Sequence, residues 1–205
     1  MDLVRLGQRP SGGLRKGVDF LGILVFVALL TSATESVHAQ TQAGAPTEYE
    51  VKAAFLVNFA KYVEWPDDAA KTSGQVVIVV VGPDPFGSLL DEAVAGKTVR
   101  GRPLVVRRAA RAEEIGDCQI LFISASEDNR LPEILRGIAK RSVLTVGEGE
   151  QFALRGGMIG FRLENNRVRF DVNLRAAELS RIVISSQLLK LARVVREPRG
   201  SGGER

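Results

Sequence analysis

Apolar residues fall along this chain in two rhythms, one with a period near three and a half residues and one of short unbroken runs. Val51, Phe55, Phe59 and Tyr62 recur at spacings of three and four, which places them on one face of a helix. Thr47 with Glu50 three positions later is a capping box that opens this helix. Trp65-Pro66 stops it near Glu64, because proline disfavours the α conformation in the residue before it. Val76 to Val81 is a continuous β-branched run between Gly74 and Gly82, the pattern of a strand buried on both faces of an α/β sheet. A turn over Gly82-Pro83-Asp84-Pro85 follows, then a helix from Phe86 to Ala95. Leu104–Val106, Ile120–Ile123 and Val143–Val146 read as further short strands, with Ser124–Asn129 as a loop. Leu131–Lys140 reads as a helix whose Pro132 lies in the first turn, where a missing N–H costs nothing.

The style changes after Gly156-Gly157, a pair that reads as the lead into a hairpin, with a ligand cradle as the other reading. Met158–Leu163 and Val168–Val172 flank Glu164-Asn165-Asn166-Arg167, a β-hairpin turn. Asn173 is placed to cap a long last helix from Leu174 to about Val195. Ile182, Leu188, Leu189 and Ala192 would face inward, and Arg175, Glu178, Lys190 and Arg193 would stay in water. Strand–helix alternation followed by a hairpin predicts one α/β domain over residues 47–196. It is expected to be a layered sandwich, its sheet mostly parallel, with helices on both faces and the antiparallel C-terminal hairpin at one edge. The residues from Pro198 on (PRGSGGER) extend a disordered tail expected over 197–205.

The N-terminus carries a different signal. Arg5, Arg9, Arg15 and Lys16 precede the apolar run Phe20–Leu30, and a polar stretch then ends in Val37-His38-Ala39. This is the layout of a secretory signal peptide over residues 1–39, cut after Ala39, with 40–46 as a short leader. The apolar run is about half of the roughly 20 residues that a spanning helix needs, so a retained anchor is the weaker reading. The cut removes four basic and three acidic residues and lowers the net charge from +4 to +3, a slight bias that argues little for a polyanion such as nucleic acid.

Two scarcities limit the chemistry. The single histidine, His38, lies in the segment to be removed, so the exported chain has no imidazole for Ser-His or Cys-His catalysis or for most transition-metal sites. The single cysteine, Cys118, permits no internal disulfide and reads as a buried, inert thiol. GPDPFG at 82–87 occupies the place of a phosphate loop but lacks its spacing, and its prolines remove N–H groups, so it reads as a plain βα turn. Ser124 and Ser126 have no nucleophile elbow around them. Glu164, Asp171 and Glu178 could pair for acid–base work or hold a hard cation, against a default of solvated or salt-bridged surface carboxylates. Arg100, Arg102, Arg107, Arg108 and Arg111 read as the charged protection of an edge strand, with contact to an anion as the other reading.

Five blocks resemble the YfiR-like periplasmic proteins in order and spacing: EYEVKAAFLVNFAKYVEWP (48–66), VGPDPFG (81–87), CQILFIS (118–124), SVLTVGE (142–148) and GGMIGFRLENNRVRFDVNLRAAELSRIVISSQLLKLARVV (156–195). The resemblance implies a Rossmann-like sandwich in the periplasm, a homodimer, and no enzymatic activity or cofactor. The best understood member of that family is a repressor. It binds the periplasmic sensor domain of an inner-membrane diguanylate cyclase and lowers cyclic-di-GMP signalling and biofilm formation until redox or envelope stress releases it. Other members stand beside other membrane sensors. Members under redox control carry paired cysteines. Here Cys118 stands where one partner would be, Val79 is the best placement for the other, and a second pair around Val146–Gly156 is missing, so disulfide gating is in doubt.

A partner-binding face is expected on the hairpin and its flank, with Phe152, Phe161 and Phe170 as apolar anchors and Glu164, Arg169 and Glu178 as a polar rim. The alternation of Phe161 and Leu163 with Val168, Phe170 and Val172 allows the competing reading that these phenylalanines are core. A soluble small-ligand receptor is the alternative function, using the cleft at the carboxyl ends of the parallel strands near Gly82–Phe86, Ser124 and Gly147. A hydrolase working with carboxylates alone is the remote third.

Overall fold

Six consecutive apolar residues can all be buried only in the middle of a covered sheet, and Val76–Val81 (β2) takes that place. The computed structural model describes residues 45–66, 74–149 and 151–196. Before β2 come helix α1 (Glu48–Tyr62) and a two-residue strand β1 (Val63–Glu64); after it come α2 (Ser88–Val94), β3 (Thr98–Val99), β4 (Arg102–Ala109) and β5 (Ile120–Ile123). A 3-10 segment (Ala125–Arg130) leads into α3 (Leu131–Ile138), then β6 (Leu144–Glu148), β7 (Ile159–Glu164) and β8 (Arg167–Asn173). The chain ends as α4 (Leu174–Leu179), β9 (Val183–Ile184), α5 (Ser186–Leu189) and β10 (Arg193–Val195).

The main sheet has the order β10-β8-β7-β6-β5-β2-β4-β3. Pairing is parallel except in the hairpin β7–β8 and between β3 and β4. Alternate residues of the central strands supply two cores. Val76, Ile78 and Val80 pack with Phe122, Val146 and the apolar side of α1 and α2, including Leu56, Phe59 and Leu90. Val77, Val79 and Val81 pack on the other side with Leu121, Ile123 and the α3 residues Leu131, Ile134 and Ile138. The expected α/β layering, mostly parallel sheet and antiparallel hairpin are therefore present.

Four expectations need correction. The long last helix is broken: α4 stops at Leu179, Arg181 adopts a φ of 57°, and the chain turns into β9 before Ser185 caps α5. The cause is Ile182-Val183-Ile184, a β-branched run better satisfied as strand, and its pairing with β1 through Val63 and Ile184. The hairpin is an edge only over its outer half, because β10 adds a parallel strand beside β8 at Asp171–Asn173. Helix α1 ends at Tyr62, before Trp65-Pro66, because Val63 and Glu64 extend to pair with β9. The fully buried stripe of α1 is Lys52, Ala53, Leu56, Phe59 and Ala60, turned from the face read in sequence; apolar residues surround this helix, so the periodicity points weakly. The cut after Ala39 and the tail from 197 lie outside the described residues, as does most of the leader.

Glu164 and Arg167 are paired across a two-residue loop, and Asn165 and Asn166 have φ of 50° and 57°. Two left-handed residues make a type I′ turn, whose twist matches that of the strands. Asn166→Gly is expected to hold or slightly raise the melting temperature. Asn166→Val, which brings a β-branched side chain into the left-handed region, should cost about 1–2 kcal/mol in a urea titration.

Candidate functional site

Ligands of open α/β sheets bind beyond the carboxyl ends of the strands, where the strand order reverses. That point here lies between β2 and β5, at Gly82 and Ser124, and it is filled from within. A Cβ added at Gly82 would come 2.8 Å from Cγ of Glu127, so the side chain of Glu127 lies directly on the turn. Glu127 is held by Arg130 at 3.3 Å. The GPDP turn is also closed: Asp84 Oδ1 accepts from the Phe86 N–H, while Arg108 spans Asp84 (2.8 Å) and Asp91 (2.6 Å). The hydrogen bonds from Arg108 hold the Asp91 carboxyl below its ordinary value. Thus Arg108 locks the turn to α2, whereas the sequence reading gave it to edge protection.

At the end of β6, Phe152 plugs the sheet. Its ring lies between Gly147 and Gly157, where an added Cβ would approach ring carbons to 2.2 Å and 2.1 Å. Gly157 is therefore required by contact with an aromatic ring, not by a ligand. Beside this plug are two clefts. One, of about 330 Å³, is lined by Ala125, Asp128, Glu148, Gln151 and Phe152. The other, of about 240 Å³, is lined by Glu48, Tyr49, Lys52, Glu148, Phe161 and Leu163. The second already holds a cation of the protein's own. Lys52, only 4% exposed, donates to Glu148 at 2.7 Å, pairs with Glu48, and lies 4.5 Å from the centre of the Tyr49 ring. Burial disfavours its ammonium, yet the hydrogen bonds it donates to Glu148 and Glu48 outweigh that, and its pKa is raised. Sequence reading missed this group because a lysine within an apolar helix gives no sign of its partner 96 residues away.

The expected apolar anchors are core. Phe152, Phe161 and Phe170 are 3%, 1% and 1% exposed, and the last two pack against Phe55 and Phe59 of α1. As folded, these rings are closed to a partner. Glu164, Arg169 and Glu178 are exposed as expected. Asp171 is no surface carboxylate. It is 1% exposed and receives Arg162 at 3.0 Å and Arg193 at 2.6 Å, so Glu164, Asp171 and Glu178 form no common acidic centre. Among the described residues, the large apolar side chains left in water are Leu163 on the hairpin and Leu179, Val183, Leu191 and Val194 in the C-terminal segment. Leu191 borders a groove of about 230 Å³ between α1 and α5, lined also by Phe55, Asn58, Tyr62, Gln187 and Leu188. This segment was missed because it was read as one amphipathic helix with those residues spread around it.

Cys118 is buried, and burial pushes its thiol up to about 11, although Arg141 and Arg107 pull the other way. Val79 pairs with Leu121 in the adjacent strand, three residues beyond Cys118. The sheet register does not set these two positions opposite each other.

The YfiR/HmsC-like family model matches residues 49–193. A comparison with curated proteins finds no match. Among solved structures, the chain is similar to the ABC domain in complex with L-Trp from Streptococcus pneumoniae, at 11% identity and a TM-score of 0.49, over 70% of this chain and 60% of that one. It is also similar to a conserved domain protein from Vibrio cholerae O1 biovar El Tor, at 12% identity and a TM-score of 0.50, over 74% of this chain and 60% of that one. The chain thus spans about 60% of the length of each. The Vibrio structure bears on the fold alone, and agrees with an α/β domain.

Two measurements check this geometry. Gly157→Ala forces the Phe152 ring to move and should lower stability by about 1–3 kcal/mol in a urea titration. Stability should also fall in alkali. The folded thiol of Cys118 binds its proton more tightly than the unfolded one, so stability drops as pH rises between about 9 and about 11. The raised Lys52 works in the same direction: its contribution is complete below the ordinary lysine value and is lost as pH passes through the folded one. Cys118→Ala should remove the first component of the fall.

Proposed function

Because the chain belongs to the YfiR/HmsC-like family, with a match from residue 49 to residue 193, we propose that it is a non-enzymatic periplasmic regulator of one particular kind. In this reading it binds the periplasmic sensor domain of an inner-membrane signalling protein, a diguanylate cyclase, and represses cyclic-di-GMP output. The family is one of periplasmic regulators of cyclic-di-GMP signalling that work with a membrane sensor. The family match carries the proposal; the exported location, the cyclase as partner and a homodimeric state rest on the sequence reading alone.

The surface supports a protein partner. Four large apolar side chains of one short segment, Leu179, Val183, Leu191 and Val194, are between 47% and 74% exposed, and exposed apolar groups in that number mark interaction surfaces. They replace the buried phenylalanines as the proposed anchors, with Glu178 beside Leu179 as part of the rim. A regulator that binds one state of a sensor more tightly than another shifts its equilibrium by that difference in affinity. The small-ligand alternative has less to work with at the strand reversal, because Glu127 fills the crevice there.

Deletion of the gene is expected to raise cellular cyclic-di-GMP, and the protein should co-purify with a membrane-anchored sensor. Leu191→Glu with Val194→Glu should weaken that capture at least tenfold while leaving the fold intact by circular dichroism. Unchanged cyclic-di-GMP after deletion would contradict the cyclase reading. A thermal shift produced by a small molecule, with no protein partner present, would favour the receptor instead.

A further inference from the structure

The hairpin β7–β8 has two unlike faces. Ile159 and Phe161 with Phe170 and Val172 face α1. Along the other face of β7, β8 and β10 the alternation places Arg162, Arg167, Arg169 and Arg193, with Glu164 and Asp171 as the only carboxylates among them. The loop after β6 reaches over part of this face, at Gly160 and Asn173, and Arg167 and Arg169 beyond it are exposed. Four guanidiniums thus meet two carboxylates. Asp171 is fully used by Arg162 and Arg193, and Glu164 lies 3.2 Å from Arg162 but 3.9 Å from Arg169. Arg167 makes no ion pair among the described residues. The excess positive charge of this face is therefore concentrated at Arg167 and Arg169.

β10 pairs with β8 only at Asp171–Asn173 and β6 with β7 only at Ile159–Phe161, so Arg167 and Arg169 stand on the free outer half of the hairpin. Charge there protects an open edge, but lysine serves that purpose as well as arginine. A solvated sheet face needs polar side chains, but it does not need four of one sign. The choice of arginine also matters, since a guanidinium offers a flat fork to a carboxylate. Arg167 and Arg169 are two residues apart on one strand, hence about 7 Å, the repeat of alternate side chains in an extended peptide.

We propose that this arginine face is a docking surface for an acidic, extended segment of a protein partner, with alternate carboxylates received by Arg167 and Arg169. The inference deepens the regulatory reading above and rests on it for the identity of the partner as a sensor. The face is distinct from the apolar segment, because Val194 and Arg193 point to opposite sides of β10.

The test uses the purified protein and a fluorescein-labelled peptide of alternating glutamate and serine, followed by anisotropy. Saturable binding is expected that weakens as salt rises from about 50 to about 300 mM. Arg167→Glu with Arg169→Glu should weaken it at least tenfold, Arg167→Gln with Arg169→Gln should weaken it less, and Lys140→Glu in the turn after α3 should leave it unchanged. Absence of saturable binding at low salt, or an equal loss with Lys140→Glu, would overturn the proposal. So would binding of phosphatidylglycerol vesicles through the same arginines without binding of the peptide. In cells the two readings separate. If deletion leaves cyclic-di-GMP unchanged, the regulatory reading fails whatever the peptide does. If deletion raises it and the double glutamate variant restores repression in full, the arginine face fails while the regulatory reading stands.

Discussion

The fold depends on one contact between distant parts of the chain, the aromatic cluster that joins α1 to the C-terminal hairpin. Phe59 stacks near Phe161 with ring centres 5.7 Å apart and meets Phe170 edge-on at 5.2 Å, while Phe55 covers both from the rim. Aromatic pairs in these arrangements contribute beyond the area they bury, roughly 0.5–1.5 kcal/mol each. The cluster holds the first helix and the hairpin to one another across the whole intervening sequence. Lys52 reinforces the same junction by tying α1 to the end of β6 through Glu148. With the rings spent inside, what remains outside for the proposed recognition is the aliphatic side chains between residues 179 and 194 and the arginines on the far side of the hairpin.

What the sequence disclosed follows from how local each signal is. Val76–Val81 declared a central strand because six β-branched or valine-like positions in a row have no other stable use. The capping box at Thr47 and Glu50 and the turn at Asn165-Asn166 were legible because both are complete within a few residues. The C-terminal segment misled for the opposite reason. Residues 174–195 have enough apolar spacing for a helix, and only the pairing of Ile184 with Val63, far away in the chain, selects a strand at its middle. A partner distant in sequence also decided Phe161 and Phe170. Their alternation in the hairpin said that one face was apolar; only the presence of Phe55 and Phe59 over it said that the face was covered.

The polar network shows the same limit. Asp171 read as a surface carboxylate by default, yet it is buried, and Arg162 and Arg193 meet it from β7 and β10. Glycine 157 and Gly147 invited a ligand reading, but each is required by the ring of Phe152 between them. Features that would mark a catalytic or cofactor cleft are thus used in holding the sheet together, and the lone thiol of Cys118 is kept protonated by burial. This pattern agrees with membership of a family of regulators.

The account therefore stands on where the protein is touched. Amide hydrogen exchange of the protein, alone and with the detergent-solubilised membrane sensor, reads that directly. Protection is expected over residues 179–195 and in β8, with little change at 125–128 and 148–152. Protection confined to those two loops, with residues 179–195 unaffected, would contradict it.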